Sequence, residues 1–222
     1  MFKYAKLTTY KIKKILRCFS LDFTASKTAD LLYLNRRTID RYFYLFRKRI
    51  FQATMEELKL IGGEFECDES YFGAKRIRGK RGRGAMGKTV VFGLLKRDGK
   101  VFVSIVKNCG REELLPIIKG YILEGSTVHT DGWKAYDSLI LNGYDHYRVY
   151  HGADEFARGK SHINGIESFW SFAKRRLAKF NGISSHRFNL YLKECEYRFN
   201  LRGQNLYANM LGVIKKFGSL KC

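Results

Sequence analysis

The stretch Ser161–Lys179, SHINGIESFWSFAKRRLAK, carries two helical stripes at once, and few architectures satisfy both. Ile163, Ile166, Phe169, Trp170, Ala173 and Leu177 recur at helical period and form an apolar stripe. Asn164, Glu167, Ser171 and Lys174 recur at +3, +4 and +3 and form a polar one. At about 100° per residue the two lie roughly 110° apart, so the polar row runs beside the buried face, not opposite it. Glu167 therefore sits at the edge of a core. A helix of this kind needs a broad apolar surface to lie on, with something polar at that surface's rim. Ser161 is placed to cap it.

The surface is supplied by strands. Glu64–Phe72 alternates, with Phe65, Cys67, Glu69 and Tyr71 on one face and Glu66, Asp68, Ser70 and Phe72 on the other. Thr89–Leu95 is an apolar run of strand length, and Asp98-Gly99 is a hairpin turn that returns the chain through Val101–Val106. The spacing predicts a helix over Glu112–Leu123, a strand over Ser126–Thr130, a helix over Trp133–Leu141 and a short strand over Tyr147–Tyr150. Helices over His186–Phe199 and Leu206–Phe217 close the chain. Hairpin steps followed by helix-connected strands describe an α/β domain: a mixed five-stranded sheet flanked by helices. Ahead of it, residues 8–50 read as three helices. Ala25–Tyr33 and Arg36–Ile50 are joined by a tight turn, the helix-turn-helix pattern. The expected organisation is an all-α helix-turn-helix domain over 1–55, a linker over 56–63 ending in Gly62-Gly63, and the sheet domain with its C-terminal helices over 64–222.

Charge narrows the partner. Forty-two lysines and arginines face 21 acidic residues, a net charge of +21 over 222 residues. Such an excess repels itself unless a polyanion is present, and double-stranded DNA fits best. Arg36, Arg37 and Arg41 open the second helix of the helix-turn-helix, the end that meets base edges in that geometry. The segment Ala74–Lys88 carries Lys75, Arg76, Arg78, Lys80, Arg81 and Arg83 among glycines, directly after the first strand, and reads as a DNA-embracing loop. Lys174, Arg175 and Arg176 extend the basic surface. Trp133 and Trp170 are assigned to the core. No run of about 18 apolar residues is present, which argues against a membrane partner. The five cysteines, Cys18, Cys67, Cys109, Cys195 and Cys222, form no CxxC pair, as expected of a reducing cytosol with neither disulfide framework nor zinc ribbon.

Three carboxylates stand out by position: Asp68 within the first strand, Asp131 at the end of the fourth, and Glu167 on the helix. If the first and fourth strands are neighbours, all three converge. Carboxylates so placed repel unless a cation sits among them, and hard oxygen ligands select Mg2+ or Mn2+. Glu66 shares a face with Asp68 and is a rival ligand, while Glu69 is expected to point the other way.

The segments ECDESYFGAK, HTDGWKAY, HINGIESFWSFAKRR and ECEYRFNLR resemble insertion-sequence transposases of the DDE type with an RNase H-like core, most of all the short bacterial group related to the Merlin transposons. Thirty-five residues separate Asp131 from Glu167, a spacing typical of such enzymes, and Lys174 follows Glu167 by seven, where they often carry a Lys or Arg. The resemblance spans roughly Glu64–Arg202. It implies an RNase H-like fold and metal-dependent cleavage at the element's ends followed by strand transfer. Asp68, Asp131 and Glu167 would bind two Mg2+ or Mn2+ ions, and Lys174 a DNA phosphate. It further implies a homodimer or larger assembly on terminal inverted repeats and target DNA, in a bacterial cytoplasm close to the nucleoid. Longer relatives carry an N-terminal zinc ribbon, for which this chain lacks the cysteines. Some use Asn in place of the third acid, which keeps Asn164, one turn before Glu167, as an alternative ligand. A DNA-binding protein without chemistry, acting as a repressor, is the competing expectation.

Overall fold

The computed structural model describes residues 7–57, 59–73, 88–131, 140–149 and 163–217. The chain divides into two compact units, one formed by Met1–Glu57 with Leu201–Cys222, the other by Leu58–Asn200.

The first unit contains α1 (Thr9–Ser20), α2 (Ala25–Leu32), α3 (Arg36–Glu56) and α7 (Leu206–Lys216). Thr8, Thr24, Asn35 and Asn205 cap their N-termini, each side chain accepting from a backbone N–H of the first turn. Tyr33 takes left-handed backbone (φ 50°) and closes α2, the Leu34 N–H bonding back to the Ala29 carbonyl. The core is built on Ile15, Leu16, Phe19, Ile39, Phe43, Phe46 and Ile50, with Phe19 edge-on to both Phe43 and Phe46. Two boundaries differ from expectation. The apolar period of α3 continues through Ala53, which is buried, so the helix expected to end at Ile50 runs on through Glu56. The last helix, expected with the sheet domain, groups with this first unit. It buries Met210 and Ile214, lays Tyr207 under Arg17, and pairs Lys216 with Glu56 at 2.8 Å.

The second unit is a five-stranded sheet in the order β3-β2-β1-β4-β5, with β1 (Glu64–Phe72), β2 (Thr89–Lys96), β3 (Val101–Val106), β4 (Thr127–Asp131) and β5 (Asp145–Val149). β1, β2 and β3 are antiparallel neighbours; β4 pairs parallel to β1, and β5 parallel to β4. α4 (Arg111–Tyr121) makes the crossover from β3 to β4. This is the RNase H-like arrangement. The expected helix over Trp133–Leu141 lies outside the described residues except for a 3-10 turn at Ile140–Asn142.

Both faces of the sheet are covered, which is why β2 reads as an unbroken apolar run. Phe65, Cys67, Phe92, Leu94 and Val106 pack with Leu114, Ile118 and Ile122 from α4 and the residue after it. On the other face Phe72, Val91, Leu95, Val101 and Val103 meet α5 (Asn164–Ala178) and α6 (Ser185–Asn200) through Ile166, Phe169, Trp170, Ala173, Leu192 and Phe199. α6 also closes the open edge of β3. Its Asn200 side chain accepts from the Val101 N–H and donates to the Val101 carbonyl, both at 2.8 Å, and Glu196 accepts from the Val103 N–H at 2.9 Å. The edge groups of Val101 and Val103 are thereby taken and not open to pairing with another chain. Glu194, Glu196 and Arg198 of the ECEYRFNLR segment are therefore internal, while its last residue, Arg202, is exposed. Glu194 is fully buried and accepts from both Arg176 and Arg198, and Lys193 pairs with Glu196 at 2.7 Å. Arg176 belongs to this network, not to the basic surface expected of it.

Candidate active site

β1 is the centre of the sheet, and its parallel register with β4 ends at Cys67 opposite Thr130. The next residues along, Asp68 and Asp131, stand side by side where the two strands part. One carboxylate oxygen each from Asp68, Asp131 and Glu69 lie within 4.8 Å of one another. The expectation that Glu69 points away is corrected here: alternation starts its side chain on the other face, yet its oxygen reaches the two aspartates. The pairing of strands that sequence could only suggest is what brings Asp68 and Asp131 together.

Glu66, the rival ligand expected from sequence, has its carboxylate engaged elsewhere. It is 1% exposed, and its Oε2 accepts from the backbone N–H of Ile166 at 2.9 Å, while Arg97 approaches its Oε1 at 3.4 Å. Ile166 is in the first turn of α5, whose own preceding residue offers no side-chain cap. The expected cap, Ser161, lies outside the described residues. A carboxylate from β1 thus does the capping, and it satisfies an orphan N–H where the helix dipole favours negative charge. The approach is close enough to require Gly165, since a Cβ there would stand 2.8 Å from Glu66 Oε2.

Asp68 is a strongly perturbed carboxylate. Burial pushes its pKa up to about 6. Hydrogen bonds from the Glu69 backbone and the Trp170 indole oppose the rise, and the charges of Asp131 and Glu167 add to it. A carboxylate raised in this way, with two others beside it, binds a proton or a cation readily. The donor set is all hard oxygen and fits Mg2+ or Mn2+.

Glu167 projects from the exposed side of α5, near enough for its charge to act on Asp68 but outside the tight group of three oxygens. Asn164 is the first residue of α5 and is exposed. Lys174 is exposed, with its ammonium 5.9 Å from the Phe72 ring centre, and shares an open groove with Phe72, Leu177, Ile183 and Phe188. Arg175 is exposed beside it. In the first unit Arg36, Arg37 and Arg41 are exposed at the start of α3, Arg36 loosely paired with Asp40 at 3.7 Å. Lys75, Arg76, Arg78, Lys80, Arg81 and Arg83 lie outside the described residues, as do Trp133 and His162. Trp170 is buried as expected of a core residue, but its Nε1 donates to Asp68 Oδ2 at 2.9 Å. Sequence alone gives no sign of that bond, because a Trp on an apolar stripe is accounted for by packing.

Residues 60–200 match the ISXO2-like transposase domain. The chain belongs to the ISXO2-like transposase family. Its sheet, its α5 and α6 and the carboxylates Glu66, Asp68, Glu69, Asp131 and Glu167 fall inside the matched domain. An uncharacterised transposase-like protein of Haemophilus influenzae is 46% identical over 101 residues, 46% of this chain and 81% of that protein. An uncharacterised protein in the transposable element ISH50 of Halobacterium salinarum is 34% identical over 199 residues, 79% of this chain and 68% of the other. More distant likenesses are to solved assemblies. The simian T-cell lymphotropic virus intasome has a TM-score of 0.40 at 12% identity, over 65% of this chain and 51% of the other. The Mos1 transposase paired-end complex has a TM-score of 0.31 at 10% identity, over 95% and 82%. No helix among the described residues is long and apolar enough to cross a membrane.

Proposed function

We propose that this ISXO2-like domain is a DDE-type transposase that cleaves DNA at the ends of an insertion sequence and joins the freed end to target DNA. The observation that carries the proposal is the meeting of Asp68 and Asp131 on neighbouring strands, with the helix bearing Glu167 packed across the same face. Asp68 and Asp131 would hold divalent metal from the sheet and Glu167 from the helix, with Asn164 and Glu69 as neighbours able to take the third place. Bound Mg2+ or Mn2+, two ions in the usual arrangement, would activate the attacking oxygen and neutralise charge at the leaving one. The chain's own part is positioning and electrostatics, and no side-chain nucleophile is required. Lys174 lies about 10.5 Å along the helix from Glu167, placed to hold a phosphate of the strand being cut. Arg175 and the basic residues between Lys75 and Arg83 would embrace the duplex. α2 and α3 would act as a helix-turn-helix with Arg36, Arg37 and Arg41 at the groove. The partners are then terminal inverted repeats and target DNA, the working form is at least a homodimer, since two ends are cut together, and the site of action is a bacterial cytoplasm at the nucleoid.

The test is cleavage of a duplex carrying the element's end, with Mg2+, by wild type and Asp131→Ala. The variant should lose at least a hundredfold in rate while binding the duplex equally well in EDTA. Equal cleavage by the two would sink the proposal.

A further inference from the structure

A carboxylate that is to face a cation has to present a defined oxygen, yet the terminal torsion of Asp is broad and does not fix itself. Ligand carboxylates are held by outer hydrogen bonds that set their rotation. For Asp68 the side-chain donor is the Trp170 indole, at 2.9 Å from Oδ2. The choice of donor is chemically pointed. An indole N–H donates only; it neither titrates in the working range nor competes as an oxygen ligand.

The indole is held in place by more than general packing. Trp170 is 5% exposed, with Phe72 edge-on at 6.0 Å and Phe169 at 5.1 Å. Across the sheet, Asp68 pairs with Gly93 of β2. A Cβ on Gly93 would stand 2.7 Å from Trp170 Cζ2, 2.8 Å from Cη2 and 2.9 Å from Ile166 Cδ1. The edge seated over Gly93 is thus the one next to Nε1, and its N–H is aimed at the neighbouring strand, where Asp68 lies. Glycine in the middle of a buried strand is unfavourable on its own account, so a reason for it is needed, and a mere core filler would not demand one.

A spacing match completes the seat. Glu66 and Asp68 are two residues apart on one face of β1, about 6.6 Å. Ile166 and Trp170 are four apart on α5, about 6 Å. The Ile166 backbone N–H bonded to Glu66 and the Trp170 indole N–H bonded to Asp68 tie two neighbouring points of the helix to one face of the strand and so fix its register along it. The same helix carries Glu167, one turn before Trp170.

We propose that Trp170 is a positioning residue for the metal-facing carboxylate of Asp68, seated for that purpose in the slot left by Gly93. The proposal rests on Asp68 being a metal ligand. Trp170 touches neither metal nor DNA; it acts by holding Asp68 in the orientation that binds the cation.

The experiment measures Mn2+ affinity of the full chain without DNA, by the loss of the free-ion electron paramagnetic resonance signal, and confirms folding by a cooperative melt. Trp170→Phe and Gly93→Ala should each weaken Mn2+ roughly ten- to a hundredfold. Because Phe also leaves a void, a third variant carries 3-benzothienylalanine at position 170, where sulfur replaces the N–H in a ring of the same shape. It should fold as wild type and bind Mn2+ as weakly as Trp170→Phe. Wild-type affinity in that isosteric variant would overturn the positioning role, and wild-type affinity in Gly93→Ala would overturn the seat. Asp68→Asn separates the two levels. If wild type binds Mn2+ no better than Asp68→Asn, the assignment of Asp68 as a ligand has failed. If Asp68→Asn alone loses the metal, only the inference about Trp170 has failed.

Discussion

Asp68 sits where stability and activity pull in opposite directions. Without metal its charged form is buried beside Asp131 and within reach of the charge on Glu167, and the folded protein holds its proton up to about pH 6. The unfolded chain releases that proton near the ordinary value of 3.8. Between those values the folded state binds more protons than the unfolded one, so stability falls as pH rises through the window. Below it both forms are protonated and the group is neutral to stability. Asp68→Asn removes this penalty. Metal-free melts of the two proteins should coincide near pH 3 and diverge by on the order of 3 kcal/mol in favour of the variant by pH 7. Parallel curves across the range would show that the site imposes no such strain. The same variant should be inactive, the usual exchange of function for stability at a site that crowds like charges.

At the scale of elements, α5 and α6 show how far sequence can be read. The apolar stripe of α5, the alternation in β1 and the DG turn after β2 are local signals, and the elements lie where those signals put them. What could not be read was which partner each polar residue takes. Glu66 looks like Asp68 in sequence, two residues away on the same face, yet one caps a helix and the other is left for the site. Only the pairing of β1 with α5, a contact a hundred residues distant, separates their roles. Arg176 follows two basic residues and reads as surface, but its place on α5 turns it onto Glu194. That network supplies a direct check. Glu194→Ala leaves two guanidinium groups, Arg176 and Arg198, buried without their common acceptor. Loss of one partner from such a buried set costs about 3–5 kcal/mol. Chemical denaturation should report a loss of that size, larger than for Lys216→Ala, whose exposed pair with Glu56 is worth less than about 1 kcal/mol. Equal losses would mean that the ECEYRFNLR segment is not the latch its contacts describe.

Over the whole molecule, the proposed function assigns cutting of DNA to the acidic site and holding of it to the basic remainder. With 42 basic residues against 21 acidic ones, binding to a duplex is expected to be dominated by counterion release and to weaken steeply with salt. Much of this surface is spread: exposed arginines on α3 in one unit, Lys174 and Arg175 on α5 in the other. Removing one phosphate contact should therefore change the slope by about one and leave the specificity untouched. Lys174→Ala is the informative case, because the proposal gives it a phosphate beside the cut and not one remote from it. Its duplex affinity should fall only a few-fold at fixed salt, with the log–log slope reduced by about one. Its cleavage rate on bound duplex should fall much further, since a misplaced reacting phosphate loses the advantage of orientation. Arg37→Ala, on the other unit, should show the reverse: weaker binding with an unchanged rate once the duplex is bound. Single-turnover cleavage at saturating protein, set against binding titrations over a range of salt, separates the two effects. If Lys174→Ala cut as fast as wild type when fully bound, the phosphate it holds would be away from the site, and the path of the DNA across α5 would have to be redrawn.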